Sequence, residues 1–151
     1  MNWNIAPFAY VYVLAVTLLV GKITTFSFLI APIVHKILGR EQAAQLLRVF
    51  FPRYYKFGIG CAMVALSSGV FFAYNASMRR VYQWLILWTV VLIIEVFSLR
   101  VLLPIIEASR EGRHRNELEA TKRFEWAHKF SVRLNVINLL IGLILIGLCV
   151  V

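Results

Sequence analysis

The chain has 151 residues, 61% of them hydrophobic and only 15% charged, against about 45–50% apolar and about 25% charged in an ordinary soluble domain. That balance excludes a disordered chain and leaves a soluble enzyme nowhere to hide its apolar surface, and two cysteines are too few for a disulfide scaffold. The net charge of +9 comes from sixteen Lys and Arg against seven acids, all Glu. In so apolar a chain the surplus suits anionic headgroups and the orientation of spans. No nucleic-acid-binding module is present, so nucleic acid is not expected as a partner. The composition reads as an all-α integral membrane protein, and a four-helix bundle is the expected fold.

The first apolar run, about 5–35, contains one charge, Lys22. No basic residue precedes it and it is too long for the apolar core of a signal peptide, so a retained helix is expected. Gly39 breaks the chain. Ala43, Leu46, Leu47, Phe50 and Tyr54 then share one helical face opposite Gln42, Gln45 and Arg48. This predicts a short amphipathic helix lying in the interface, ended by Pro52. A second span is expected over about 54–76, closing in the turn Asn75-Ala76-Ser77, and a third over about 81–103, stopped by Pro104. The polar stretch 107–129 holds three favourable Glu-to-basic i, i+4 spacings, Glu111–Arg115, Glu119–Arg123 and Glu125–Lys129. It reads as a charged helix kinked near Gly112 that runs into a fourth span, about 130–151. The whole chain forms one membrane domain.

Basic residues collect around 36–53 and 104–129, while Arg79 and Arg80 stand alone on the other side. The asymmetry predicts that both long loops are cytoplasmic and both termini outside, in a bacterial inner membrane or a plasma membrane. Cys61 and Cys149 then lie near opposite ends of their helices and are not expected to pair. Stripes of small residues predict close helix packing, at Cys61, Ala65, Gly69, Ala73 and Ser77 and at Thr17, Gly21 and Thr25.

Ionisable residues inside spans mark functional or paired positions. Lys22 and Glu95 reach similar depth on two helices of the same direction. An ion pair between adjacent helices is expected, either as a proton- or ion-linked site or as a structural pair. Arg100 and Arg133 lie close enough to the inner surface to snorkel. His128, Ser131 and Asn135 form one face of the fourth helix at its cytoplasmic entrance, and Asn138 extends it inward. This face reads as a ligand mouth or as interhelical hydrogen bonding. His35 ends the first span on the same side as His128, which leaves open a haem or copper site. No metal-ligand spacing accompanies them, so no cofactor is predicted. No catalytic constellation is present.

Gly21, Phe26, Phe28, Ala31 and Pro32, then Arg40-Glu41-Gln42-Ala43, Phe51-Pro52-Arg53-Tyr54-Tyr55, Asn75, and His128, Ser131 and Asn135 follow one another along nearly the whole chain. In this the sequence resembles the transmembrane protein 205-like family. The resemblance implies a four-span membrane bundle and, for eukaryotic relatives, a link to drug resistance and trafficking; it implies no reaction or cofactor. Lys22 departs from the small or apolar residue expected there. The expected role is non-enzymatic transport, export or accessory work. A small membrane oxidoreductase or haem-handling protein using His35 and His128 is one alternative, and a structural subunit of a larger complex or a homo-oligomer is another.

Overall fold

The computed structural model describes residues 6–72, 78–115 and 117–150, with the main chain alone at 6, 40, 70–72, 78–80, 111, 113, 114, 149 and 150. Every element among them is helical: α1 (Ala6–Thr24), a π-helical turn (Thr25–Ile30), α2 (Ala31–Ile37), α3 (Arg40–Phe72), α4 (Met78–Phe97), a second π-helical turn (Ser98–Leu102), α5 (Leu103–His114) and α6 (Leu118–Val150). Because α2 and α5 continue the helices before them, the chain folds as four long rods. The 33 residues of α3, like the 33 of α6, reach roughly 50 Å at about 1.5 Å per residue, well beyond a hydrocarbon core of about 30 Å.

Three stretches are long and apolar enough to cross a membrane: Pro7–Ile37, Val81–Arg110 and Leu118–Leu148. They correspond to the first, third and fourth expected spans. The second, 54–76, begins inside α3 and runs into residues outside the described set. Large apolar side chains such as Ile86, Ile93, Leu140 and Ile144 point away from the bundle and are more than half exposed, as lipid-facing residues must be.

The rods pack in a ring. α1 lies against α3 and α6, and α4 lies against the same two helices. Among the described residues α1 and α4 are therefore diagonal partners, where the sequence suggested neighbours. The core between them is built from Tyr12, Val16, Leu19, Ile23, Ala62, Ala65, Trp88, Val91 and Leu145, all nearly sealed. The Trp88 indole donates across the diagonal to the Tyr12 hydroxyl at 3.1 Å. Gly142 of α6 is buried, and a Cβ there would fall 2.6 Å from Val20 Cγ2, so its missing side chain sets how closely α6 approaches α1.

Prolines behave differently from expectation. Pro104 does not stop its helix, nor does Pro52, so no separate interfacial helix forms: the amphipathic residues 40–51 are the N-terminal part of α3. At Pro32 and Pro104 the chain widens instead into the π turn that precedes each. A proline clashes with the carbonyl four residues back, and here those carbonyls, at Phe28 and Arg100, lie inside the widened turns. At Pro52 the helix stays α, and the Arg53 guanidinium donates to the Val49 carbonyl at 2.9 Å, beside the bond that the proline deletes. Aromatic packing surrounds this segment: Phe26 stacks on Phe50 at 5.1 Å and meets Phe51 and Tyr54 at 5.2 and 5.5 Å.

The charged stretch is likewise two helices, where one kinked helix was expected. The Gly112 carbonyl accepts from the amides of Arg115 and Glu117 at 3.1 and 3.0 Å, and the chain reverses so that α5 packs along α6. Of the expected pairs Glu125–Lys129 forms, at 3.7 Å, and Glu119 meets Lys122 at 3.3 Å; the Glu111 side chain lies outside the described residues. The turn Asn75-Ala76-Ser77 and the Cys149 side chain also lie outside them. Cys61, Ala65 and Gly69 are buried, with Gly69 open to Leu85 of α4, whereas Thr17 and Thr25 are exposed and nothing lies within 4 Å of a Cβ at Gly21. The α1 stripe thus faces away from the bundle.

A Cβ at Gly112 would sit 2.5 Å from the Cβ of Ala120 and 2.8 Å from the Glu117 carboxylate. Gly112→Ala is expected to destabilise the α5–α6 hairpin by about 1–3 kcal/mol, read as a lowered midpoint of thermal unfolding in detergent. An unchanged midpoint would show that the hairpin is not tightly closed.

Candidate functional site

Lys22 of α1 and Glu95 of α4 reach across the bundle and meet at 2.7 Å, their side chains 7% and 0% exposed. The long lysine stem makes the diagonal possible. The Lys22 ammonium also donates to the Tyr54 carbonyl at 3.3 Å and stands 4.2 Å above the Tyr54 ring. Asn138 of α6, 1% exposed, donates from Nδ2 to the same Glu95 oxygen at 3.0 Å. Each of the four rods thus supplies part of one buried ionic centre.

Space for it comes from Gly58 of α3. A Cβ there would fall on the Lys22 ammonium and the Glu95 carboxylate, so only glycine lets the pair pass between α1 and α4. Sequence reasoning missed Gly58, because a lone glycine in an apolar run has no signature until the third helix is placed. Glu95 Oε2 and Asn138 Oδ1 are buried with no hydrogen-bond partner among the described residues.

A second polar layer lies about one turn before Gly58, toward the N-terminus of α3. The Tyr54 hydroxyl donates to Asn135 Oδ1 at 3.1 Å, and the Tyr55 and Ser131 hydroxyls share a hydrogen bond of 2.8 Å. Asn135 Nδ2 returns to the Ser131 carbonyl at 3.2 Å. The polar face of the fourth helix therefore divides: Ser131 and Asn135 bind the tyrosines of α3, Asn138 turns to Glu95, and His128 is exposed and stacks on Phe124 at 6.0 Å. Helical spacing put all four on one face and carried no sign of this division.

Beside that layer, between the basic ends of the rods, opens a cleft of about 500 Å³. Val34, Tyr55, Leu103, Ile106 and Ser131 form its buried floor, while His35, Glu125, His128 and Lys129 stand exposed at its mouth. It brings the two histidines into one lining, together with Ser131 and Asn135; Lys22 and Glu95 are not part of it. Arg110 lines the cleft too and is held in place: it donates to the Ala44 carbonyl at 2.7 Å and pairs at 3.3 Å with Glu107, which takes Arg48 at 2.6 Å. Pro32 stands at the start of α2, and Phe51 and Pro52 precede the two tyrosines in α3; Asn75 lies outside the described residues. Arg100 and Arg133 are exposed. Among the described residues no three His, Cys, Asp or Glu cluster so as to hold a metal ion.

Apolar rods, lipid-facing side chains and a sealed ionic centre define a helical protein of membrane type. The chain belongs to a family described as Domain of unknown function (DUF4149), whose model matches residues 14–115. The match takes in Lys22, Gly58 and Glu95; Asn138 and the polar face of α6 lie beyond it. No curated protein and no solved structure matches the chain.

Removing one partner of a buried pair strands the other charge, at a cost of about 3–5 kcal/mol. Lys22→Met is expected to destabilise the protein by that amount, and the double variant Lys22→Met/Glu95→Gln to recover most of it. Gly58→Ala is expected to be destabilising in both backgrounds, because glutamine keeps the bulk that a Cβ at 58 would meet. Denaturant unfolding in detergent measures all of them; additive single and double effects would show that the pair is not coupled.

Proposed function

We propose that this is a four-span integral membrane protein, with both termini outside and residues 36–53 and 104–129 as helical ends in the cytoplasm. Its role is non-enzymatic transport or export of a small molecule. The observation that carries the reading is the cleft, a space of ligand size between four rods at their basic end, with Ser131 and Tyr55 on its floor. The positive-inside bias supports the orientation, and the resemblance to the transmembrane protein 205-like family supports export.

A second reading, a haem-handling protein, draws on the presence of His35 and His128 in the same cleft. A Soret band in purified protein, lost in His128→Ala, would support it over transport.

Two measurements test the first reading. In a background lacking Cys61 and Cys149, a membrane-impermeant maleimide is expected to label Ser77→Cys in intact cells and Glu117→Cys only after permeabilisation. Vesicles reconstituted with the protein and loaded with fluorescent amphiphilic dyes are expected to lose dye faster than protein-free vesicles. Ser131→Trp, which fills the cleft floor, is expected to abolish the difference. Flux equal to that of protein-free vesicles would overturn the transport reading.

A further inference from the structure

We propose that the cleft binds a single-chain amphiphile with an anionic head, a carboxylate or phosphate, its tail on the floor and its head at the mouth. The inference rests on the proposed membrane orientation, which puts the mouth at the level of the inner headgroups.

The floor asks for an apolar ligand. Val34, Leu103 and Ile106 are buried there with Phe26, Leu47 and Phe51 beside them. Its polar atoms already bond one another: Tyr55 with Ser131, and Asn135 with Tyr54 and the Ser131 carbonyl. A ligand lying on that floor gains from apolar burial and needs no hydrogen bond there. A tail also suits the space, since about 500 Å³ is within the range of ordinary ligand pockets.

The mouth asks for the opposite chemistry. Among the described residues that line the cleft, two basic side chains, Arg110 and Lys129, stand against one carboxylate, Glu125. Lys129 stands at the rim 3.7 Å from Glu125, both more than half exposed, so solvent weakens that pair and an anionic head can compete for the ammonium. His35 and His128 complete the rim, each able to donate to a carboxylate or phosphate oxygen. A cationic head would meet Arg110 and Lys129 as like charges, against the one carboxylate of Glu125 in the described lining, and an uncharged one would forgo the charge-assisted bonds.

The test is equilibrium binding to the intact chain in nanodiscs of neutral lipid, read as energy transfer from protein tryptophan to a dansyl-tagged long-chain fatty acid. Saturable binding is expected, with the methyl ester of the same probe at least roughly tenfold weaker, the worth of one lost charge-assisted bond. Lys129→Glu, at an exposed position with no packing role, is expected to weaken the acid several-fold and leave the ester unchanged. Ser131→Trp is expected to abolish binding of both. A dansyl lysophosphatidate run in parallel separates the two head chemistries, the tighter probe naming the preferred one. Equal affinity for acid and ester, or binding of the acid unaltered by Ser131→Trp, would overturn the proposal. Binding does not require flux, so a failed dye-release assay with intact binding would remove the transport reading and leave this one standing.

Discussion

One ion pair at the centre of the bundle constrains all four rods. Charges are costly in a hydrocarbon layer, and a buried pair persists only where geometry and further hydrogen bonds offset the loss of water. Here the offset is spread over the fold: Asn138 bonds the carboxylate, the Tyr54 carbonyl and ring face the ammonium, and Gly58 withholds a side chain. Because Lys22 and Glu95 stand on diagonal helices, their contact passes through the middle of the ring. A shift of any rod along its axis would break part of this arrangement, so the pair fixes register as well as proximity.

The pair also divides the molecule along its length. On one side the interior is sealed by Trp88, Val16, Leu19 and Leu145, and the Trp88 indole bonds the Tyr12 hydroxyl across the diagonal. On the other side the rods carry most of the basic residues and part to leave the cleft. Tyr54 spans the boundary, its ring under Lys22 and its hydroxyl on Asn135. A sealed half and a half that opens into the cleft thus share a wall made of one aromatic residue and its neighbour.

Much of the frame was legible in the sequence, for physical reasons that also explain what was not. Span length follows from bilayer thickness, which is why the apolar runs mark the rods and why Lys22 and Glu95 could be placed at one depth. Depth says nothing about azimuth, so neighbours and diagonals were indistinguishable, and with them the need for glycine at 58. Proline reads locally as a helix breaker, yet α3 continues through Pro52 amid the aromatic cluster around Phe26 and Phe50. The reversal at Gly112 was hidden because its charges keep helical spacing on both sides of the turn. Asn138 belongs by periodicity with Ser131 and by packing with Glu95, and only the tertiary fold decides between them.

The two π turns bear on how such a fold can change over time. Each begins three residues after a member of the ion pair, Thr25 after Lys22 and Ser98 after Glu95, and each holds one more residue than an α-helical path would use. One residue in a helix is about 100° of rotation. The faces that α2 and α5 present to the cleft are therefore turned about a quarter of a revolution from the faces that α1 and α4 present to the core. The widened turns act as gears between two regions that can be tuned separately. A single-codon deletion in either would leave the ionic centre untouched while swinging Val34 or Ile106 out of the lining, so the cleft end of this bundle is open to abrupt change by the smallest in-frame event a gene can undergo.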